Sequence, residues 1–406
     1  MTHAAHPLRR TFSRTAPMSL PASHIVRPLA LTSILLTAGA LTGCASTGGA
    51  SEGDASSAAL QLEPPVPGAV LANDLIQPGE TRFKNLWRLT FGGQNAEAYW
   101  NYADDGLSLQ LRETNARDDC DQIFVTSPSG DLRQVSTGRG VTTCAFYMPD
   151  DQAVLYASTQ SGHVACPIKP PSQGYTWMLW PDYEIYVTDL KTGEEKTLVS
   201  EYGYDAEATV SPLGDRIVFT STRSGDLELW TCDLEGEDLV QVTDTPGYDG
   251  GAFFSHDGER LVFRATAWTP GSEAEEQQRY REDLDRWQVR PNSMEIFTVA
   301  ADGSDRQQIT TLGGANFAPY FTPDDQRIIF ATNHHDTGTP SVNFDIFLCD
   351  LDGGGLEQVT HFDGPPGKKF DGFPMFSRNG KYLAFASNRG AGAPGDTDVF
   401  IAEWAD

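Results

Sequence analysis

The sequence predicts an all-β protein, a six-bladed β-propeller built from four-stranded blades. Three observations carry this prediction. A turn followed by an apolar or alternating run recurs six times, and a strand–turn–strand element follows each recurrence. The last recurrence lacks a fourth strand, and a segment near residue 85 resembles the missing strand. The six turn segments occupy residues 103–111, 148–156, 211–219, 255–263, 322–330 and 377–385.

Each turn segment joins two strands, here called a and b. Neighbouring turns begin as little as 44 residues apart, from 211 to 255, and three longer spacings indicate insertions. Repeats of this length with four strands are typical of propeller blades, because a blade buries its faces only by packing on its neighbours.

Strands c and d follow in each unit, separated by a Gly or Asp-Gly turn. They occupy residues 122–136, 184–200, 227–243, 295–310 and 345–360, and residues 398–404 supply only strand c of the last unit. Residues 85–90 resemble the strands d of the other units. We therefore expect this N-terminal strand to complete the sixth blade and to close the ring without an open edge.

The composition excludes two classes of protein. Of the 406 residues, 39% are hydrophobic, and 29 Lys and Arg stand against 56 Asp and Glu, for a net charge of −27. The apolar content is sufficient for a folded core, which excludes a chain disordered throughout. A surface this acidic repels phosphate backbones, so we expect no nucleic-acid partner.

The first 43 residues have the pattern of a bacterial export signal. Four Arg occur without any acid, and an apolar run at 29–41 is too short to span a bilayer. The letters LTGC at 41–44 resemble a lipobox, which implies that Cys44 is acylated and becomes the new N-terminus. An ordinary signal peptide with a chance Cys is the alternative, and the start codon can be Met1 or Met18.

We therefore expect three parts: a lipoprotein signal peptide at 1–43, a flexible tether rich in Gly, Ser and Pro at 44–80, and the propeller at 81–406. The lipid would anchor the protein in the bacterial cell envelope, facing the periplasm. Ala45 after the modified Cys favours the outer membrane over the inner membrane.

The repeat units resemble the TolB-type propeller repeat, also called the PD40 or WD40-like repeat. The resemblance rests on Ser-Pro-Asp-Gly-like turns such as SPLGD at 211–215 and SHDGE at 255–259, each followed by an apolar strand and then a strand ending near Asp-Gly. It covers residues 85–406 and implies the propeller fold. TolB carries an α/β domain before its propeller, where this chain has only the tether, and TolB is not a lipoprotein.

The longer insertions fall between strands b and c, at 159–183, 266–293, 331–344 and 389–397. In a propeller the b–c and d–a connections share one face, here called the insertion face, and the a–b and c–d turns share the other, here called the turn face. Because loops on a rigid scaffold commonly carry binding residues, we expect a ligand or partner to bind at the insertion face.

Aligning the six turns places one polar residue of each blade at the start of strand a, near the axis. These residues, here called the polar ring, are Glu97, Thr142, Asp205, Asp249, Asn316 and Asp371. The aligned position at the start of the b–c loops holds Arg223, His334 and Arg389. One interpretation is a polar cup for a cation, a basic peptide or a polar glycan. The other is structural: the Asp residues cap strand starts or pair with Arg223 and Arg389.

Two insertions carry further candidates. The 159–183 insertion contains Trp177 and Trp180, which suit protein or sugar contacts, or alternatively pack on the blade. The 266–293 insertion contains SEAEEQQRYREDLDRW at 272–287, which predicts an exposed helix with Ser272 at the N-cap. This helix is either a lid or partner site or a plain surface decoration.

Export permits disulfides, and three Cys are predicted on the insertion face. We expect Cys166 to pair with Cys120 or with Cys144, and the sequence does not choose between them. Cys232 and Cys349 occupy equivalent positions in strand c, so we expect both to be buried and unpaired.

These features predict a monomeric, lipid-anchored propeller that binds an envelope protein or peptide, or acts as a scaffold, through its insertion face. The alternative is a hydrolase or lyase acting on envelope polysaccharide or peptide, with acids from the polar ring and from His334 and His335. The sequence contains no H-E-x-x-H or C-x-x-C motif, and adjacent residues of a strand point apart. We therefore expect no catalytic residue, metal or cofactor, and favour the binding module.

Overall fold

The computed structural model describes residues 62–112, 120–171, 174–336, 343–364 and 369–405. The predicted signal peptide, Cys44 and most of the predicted tether lie outside these ranges. The described part of the chain is nearly all β, with six four-stranded blades, and the predicted six-bladed propeller is confirmed.

The strands of each blade are given in the order a, b, c, d. Blade 1 contains Gln94–Trp100, Leu107–Arg112, Gln122–Thr126 and Leu132–Gln134; blade 2 contains Thr142–Tyr147, Ala153–Ser158, Glu184–Asp189 and Glu195–Val199; blade 3 contains Asp205–Val210, Ile217–Ser221, Glu228–Cys232 and Val240–Gln241. Blade 4 contains Asp249–Phe254, Arg260–Thr266, Met294–Ala300 and Gln307–Gln308; blade 5 contains Asn316–Phe321, Arg327–Thr332, Asp345–Asp350 and Glu357–Gln358; blade 6 contains Asp371–Phe376, Tyr382–Ser387, Asp398–Trp404 and Phe83–Arg88.

Strands a are the innermost strands, since those of neighbouring blades contact one another all the way round, from blade 1 to blade 6 and back. Strands b lie between strand a and strand c of their own blade and between two neighbouring blades. Their side chains are therefore buried on both faces, as Ile217, Val218 and Phe219 show. This double burial explains why the sequence of strands b reads as an apolar run and not as an alternation.

The ring closes as predicted. The strand Phe83–Arg88 pairs antiparallel with strand c of blade 6, and Leu86 lies opposite Ala402. The strand begins and ends two residues earlier than the predicted residues 85–90. Blade 6 thus contains the first and the last of the strands that form the six blades.

Packing against the ring begins before residue 81, within the segment predicted as the tether. Val66 and Glu80 are buried, and Val70–Leu71 pairs outside Phe83–Arg88 as a fifth strand of blade 6. The side chain of Asn73 accepts a hydrogen bond from the backbone N–H of Leu86 at 2.7 Å. The Pro-rich composition suggested a tether, but these contacts hold the segment against the ring.

The a–b turns interlock on the turn face. The carboxylate of Asp151 in blade 2 accepts hydrogen bonds from the backbone N–H groups of Tyr102 and Ala103 in blade 1. Asp104 and Asp325 each bond in the same way to the blade before their own. These three Asp residues adopt φ of 56° to 57°, a conformation that Asp tolerates better than most residues. In these three blades, the Asp with the positive φ therefore links the turn to the preceding blade.

Candidate functional site: the axial cavity

Two insertions meet above blade 3. Trp177–Met178, from the b–c insertion of blade 2, pairs antiparallel with Gln288–Val289, from that of blade 4. The predicted helix forms within the second insertion as α1, Glu273–Leu284. Ser272 lies at its N-cap, as predicted, but the Ser272 side chain makes no capping hydrogen bond. The two insertions therefore act as one structure on the insertion face.

A cavity of about 890 Å³ lies on the propeller axis and is lined by residues of the insertion face. Strand a of every blade contributes one residue with a positive φ, between 49° and 63°, at a register shift in the strand. These residues, here called the bulge ring, are Glu97, Cys144, Glu207, Gly251, Ala318 and Phe373. β-bulges re-aim side chains and are common beside functional sites.

Aromatic side chains form the floor of the cavity. Tyr99, Phe146, Phe253 and Tyr320 contact one another with ring centroids 5.2–6.3 Å apart. Closer to the turn face, the guanidinium of Arg378 lies 3.5 Å from the ring centroid of Tyr102. The Tyr102 hydroxyl, on blade 1, donates to the carbonyl of Ser211 on blade 3 at 3.2 Å. The cavity is therefore closed towards the turn face and accessible from the insertion face.

Glu207 is neutralised by Arg264 on one wall of the cavity. The two side chains form a hydrogen-bonded ion pair. The Tyr248 hydroxyl donates to Glu207 Oε2 at 2.7 Å and lies 2.6 Å from Arg264 Nη2. Burial lowers the pKa of Arg264, but the neighbouring Glu207 carboxylate outweighs this and raises it overall. Arg264 also lies 4.9 Å from the ring centroid of Trp177, so the pair is held on several sides.

Glu97 accepts hydrogen bonds from neutral groups, whereas Glu207 pairs with a cation. Glu97 Oε2 accepts hydrogen bonds from the Cys144 backbone N–H at 2.9 Å and from the Thr143 hydroxyl at 3.3 Å. Glu97 forms no ion pair with any residue that the structure describes. Burial raises the pKa of Glu97, and burial, followed by the nearby Glu97 charge, raises the pKa of the Cys144 thiol. The cavity thus contains one carboxyl group without a cationic partner.

The opposite wall is apolar. Phe317, Phe344, Phe370 and Phe373 form an aromatic cluster from blades 5 and 6. The Phe317 ring centroid lies 5.0 Å from that of Phe344 and 5.5 Å from that of Phe373. The cavity is therefore polar and acidic on the side of blades 1 to 3 and aromatic on the side of blades 5 and 6.

A disulfide between Cys120 and Cys166 joins the b–c loops of blades 1 and 2 at the rim. It is one of the two pairings that the sequence left open. Cys144 is unpaired and lines the cavity, whereas Cys232 and Cys349 are unpaired and buried. Near the disulfide, Arg112 and Asp121 form an ion pair of 3.8 Å.

Five of the six residues of the predicted polar ring, all except Glu97, are buried in the blades. Asp205 pairs with Arg223 at 2.9 Å, and Asp371 pairs with Arg389 at 2.9 Å. Asp249 pairs with Arg306, also at 2.9 Å, and not with a residue at the predicted position. The side chains of the three acids are at most 2% exposed. This arrangement matches the structural interpretation and not that of an open polar cup.

The ring residues belong to a hydrogen-bond node that is repeated between blades. In blade 4, Glu295 of strand c accepts a hydrogen bond from the Thr310 hydroxyl at 2.6 Å and one from the Asn316 side-chain amide at 3.0 Å. In blade 3, Glu228 accepts from the Thr243 hydroxyl at 2.6 Å. In two nodes strand a supplies Asp instead of Asn, so that Asp249 interacts with Glu228 and Asp371 with Asp345. A basic side chain, Arg306 or Arg389, lies beside each pair.

Burial raises the pKa values of these node acids. It raises the pKa of Asp249 to about 6 despite the Arg306 charge, and the pKa of Asp371 to about 6 despite Arg389. It raises the pKa of Glu228 to about 8. Thr142 is also buried, and its hydroxyl donates to the Asp121 carbonyl at 2.9 Å. We therefore expect the protonation of these acids to change between about pH 6 and pH 8.

Glu97 was assigned to the polar ring by an alignment that is two residues out of register. The register shift of strand a in blade 1 follows Asn95 and Ala96, as the shift in blade 3 follows Asp205 and Ala206. Asn95 is therefore the equivalent of Asp205, and Glu97 is the equivalent of Glu207. The first blade has no Ser-Pro turn, and its turn begins at Asn101 and not at residue 103.

The remaining candidates divide between cavity and blade. Trp177 and Trp180 pack on the blade tops and also line the cavity, and their contact with a protein or a sugar stays a prediction. His334 lies in a 3-10 turn, and its ring centroid is 4.8 Å from that of Phe347. Burial, followed by the neighbouring His335, lowers the pKa of His334. His335 pairs with Asp345 at 2.9 Å. Both His side chains therefore contact strand c of blade 5.

Sequence reasoning missed Glu207, Arg264 and Tyr248 as cavity residues. A regular strand places residues i and i+2 on the same face, but the bulge separates the faces of Asp205 and Glu207. The Gly-Gly pair at 250–251 was the available signal, because Gly in a strand commonly marks a bulge.

The described residues contain no group of three His, Cys, Asp or Glu side chains arranged to hold a metal ion. Within the same ranges, no helix has the length and apolar character needed to cross a bilayer.

The fold and the site together define a six-bladed β-propeller with an axial cavity on its insertion face. No family model matches the chain, and no curated protein matches it by sequence. Among solved structures it is similar to TolB from Acinetobacter baumannii, with 17% identity and a TM-score of 0.48 over 77% of this chain and 65% of that one. This chain thus spans less than two thirds of that protein.

The chain is also similar to a putative TolB from Agrobacterium tumefaciens, with 16% identity and a TM-score of 0.49 over 77% of this chain and 91% of that one. An oligogalacturonate lyase in complex with manganese has 14% identity and a TM-score of 0.47 over 84% of this chain and 97% of that one. The expected resemblance to TolB-type propellers is confirmed, as a likeness of fold.

Proposed function

We propose that this protein is a binding module that receives a protein or peptide partner at the insertion face, with part of the partner entering the axial cavity. One observation carries the proposal: the cavity of about 890 Å³ lies among the insertions and is closed by aromatic side chains towards the turn face. A volume of this size is within the range of ligand sites. Partner contacts would extend from the cavity over the insertions of blades 2 and 4.

The module would be held in the bacterial cell envelope by a lipid on Cys44, facing the periplasm, at the outer membrane. This part of the proposal is supported by the LTGC motif after a short apolar run. Metabolic labelling with a fatty-acid analogue, compared between the natural chain and Cys44→Ser, tests it. Label that persists in the variant would contradict the anchor.

A photo-crosslinking amino acid tests the binding face. Placed at Tyr175, which is 76% exposed and lines the cavity, it should capture one discrete partner in cells. Placed at Leu213, which is 63% exposed in an a–b turn on the opposite face, it should not capture that partner. Capture of the same partner only from Leu213, or equally from both positions, would refute binding at the insertion face.

A hydrolase or lyase remains the second candidate because the Glu97 carboxyl group lines the axial cavity and accepts hydrogen bonds from neutral donors there. The raised pKa of Glu97 would let this carboxyl group hold a proton inside a ligand-sized cavity, as a general acid requires. Turnover of envelope polysaccharide or peptide by the natural protein, lost in Glu97→Gln, would establish this candidate. Absence of turnover, together with partner capture, would leave the binding module.

A further inference from the structure

We propose that the axial cavity recognises an organic ammonium group, with the Glu97 carboxylate as its counter-ion and the surrounding aromatic side chains as its walls. This inference deepens the proposed function and rests on it. It names the chemistry of the group that enters the cavity, either a Lys side chain on a peptide or a small primary amine.

The charges inside the cavity leave one acid uncompensated. Arg264 is committed to Glu207, and the Tyr248 and Thr220 hydroxyls complete the hydrogen bonds of that carboxylate. The groups that bond to Glu97 are neutral: the Thr143 hydroxyl and the Cys144 backbone N–H donate to its Oε2, and the Cys144 thiol also bonds to the carboxyl group. The Glu97 side chain is only partly buried and lines the cavity. An entering cation would therefore find a carboxyl group that forms no ion pair with the described residues.

The walls suit a cation with an apolar stem. Tyr99 and Phe253 form the floor beneath Glu97, and the Phe317 cluster forms the far wall. An ammonium group within about 6 Å of an aromatic ring centroid gains about 0.5–2 kcal/mol from the ring quadrupole. A methylene stem would pack on the same rings. Carboxylate and aromatic groups therefore act together on such a ligand.

Other ligand classes fit the cavity less well. An anion would approach Glu97 without an available inner cation, because Arg264 is already paired. The cations at the rim interact with acids: Arg112 lies 3.8 Å from Asp121, Arg290 lies 2.6 Å from Asp283, and the Lys169 charge acts on Asp121. The described residues offer no three-ligand metal set. A small uncharged molecule would leave the Glu97 carboxyl group without the partner that an ammonium provides.

The free thiol of Cys144 provides a measurement at the site itself. Cys144 lines the cavity beside Glu97, whereas the other two unpaired thiols among the described residues are fully buried. In the full chain carrying Cys44→Ser, the rate of maleimide modification of Cys144 should therefore report whether the cavity is occupied. Mass spectrometry of the modified peptide identifies the thiol that reacts.

Three probes with the same six-carbon stem separate the charge from the stem: hexylammonium, hexanol and hexanoate. We expect hexylammonium to protect Cys144 at concentrations at least tenfold below those of the other two. Glu97→Gln should weaken hexylammonium binding by about 10- to 100-fold, the usual effect of losing a hydrogen bond to a charged group. The control Glu194→Gln, at an exposed c–d turn of blade 2, should leave binding unchanged.

A capped pentapeptide of four alanines and a central lysine distinguishes the two sources of the ammonium group, with norleucine in place of lysine as its control. Protection by the lysine peptide at lower concentration than by hexylammonium assigns the group to a protein partner. The reverse order assigns it to a small amine. Because Glu97→Gln can alter folding, Phe344→Leu is a second variant, and it should weaken hexylammonium binding several-fold.

Equal protection by all three six-carbon probes, or by none, would overturn the ammonium proposal. So would hexylammonium binding that Glu97→Gln leaves unchanged in a folded variant. If crosslinking from Tyr175 still captures a partner in either case, the binding module survives and only the assigned chemistry fails. If crosslinking also fails, the proposed function is refuted with it.

Discussion

Replacing Arg389 with Met tests whether one buried cation holds the N-terminal segment to blade 6. Arg389 is fully buried and donates to Glu80 at 2.8 and 2.9 Å and to Asp371 at 2.9 Å. Both carboxylate side chains are also fully buried. Met keeps much of the side-chain volume but leaves two buried acids facing each other without a cation.

The expected loss follows from the cost of breaking a buried ion pair, about 3–5 kcal/mol in the free energy of unfolding. An unfolding entropy of about 2.1 cal/mol/K per residue over roughly 340 residues gives about 0.7 kcal/mol/K. The midpoint of thermal unfolding should therefore fall by about 4–7 °C.

The loss should also depend on pH in a definite direction. Asp371 already has a raised pKa of about 6, and removing the cation raises it further. An acid whose pKa is higher in the folded state than in the unfolded chain destabilises the fold as pH rises through the folded pKa, because the folded state must then release its proton. The deficit of Arg389→Met should therefore be larger at pH 8 than at pH 5.

Guanidinium unfolding at pH 5 and pH 8 measures both quantities. Arg223→Met is the matched control, because Arg223 serves the single buried acid Asp205 and lies 3.9 Å from the exposed Glu201. We expect Arg389→Met to lose more stability than Arg223→Met. Equal losses, or a deficit independent of pH, would refute the account. The further change Asp371→Asn should recover part of the loss.

Three further predictions concern the nodes and the rim. Glu228 has a pKa raised to about 8, so its ionisation destabilises the fold as pH rises towards 8. Glu228→Gln should therefore raise the free energy of unfolding at pH 8 by about 1–3 kcal/mol, measured by guanidinium unfolding. A variant whose stability depends on pH as that of the natural protein does would contradict this prediction. Asn316→Asp would put a second carboxylate beside Glu295 without an added cation. It should lower the free energy of unfolding by about 1–3 kcal/mol at pH 8, and by less at pH 5, in the same assay. Full stability of the variant at pH 8 would contradict the role given to the Asn316–Glu295 hydrogen bond. Cys166→Ser should lower the free energy of unfolding by about 2–4 kcal/mol, because the disulfide joins residues 46 positions apart; non-reducing peptide mapping of the natural chain checks the pairing, and a Cys166–Cys144 peptide would show that it is wrong.

The blade architecture could be predicted because its signals are local. Each a–b turn carries its own turn residues, and each strand b carries an apolar run that burial on both faces requires. The closing strand could be recognised because residues 85–90 share the composition of the other strands d. The packed segment at 66–80 could not be recognised, because its contacts, such as Glu80 with Arg389, join residues more than 300 positions apart.

The residues of the cavity were harder to predict because their orientation depends on a β-bulge in each strand a. The polar residues at the start of strands a were visible, but which residues face the axis is decided by the bulges that follow them. Only Gly251 hints at a bulge in the sequence, since five of the six bulge-ring residues are not Gly. The basic partner of the ring acids also comes from different places in the blade. Arg223 and Arg389 lie in b–c loops, whereas Arg306 lies in a c–d turn.

The position of the closing strand has a consequence for synthesis on the ribosome. Phe83–Arg88 is made more than 300 residues before Asp398–Trp404, the strand to which it must bond. Leu86 and Trp87, which are buried in the finished protein, therefore lack their final neighbours until nearly all of the propeller has been translated. A nascent chain stalled before residue 398 would expose two unpaired strand edges, and such edges can pair with another chain. Aggregation should accordingly be most severe for ribosome-released fragments that end just short of that strand.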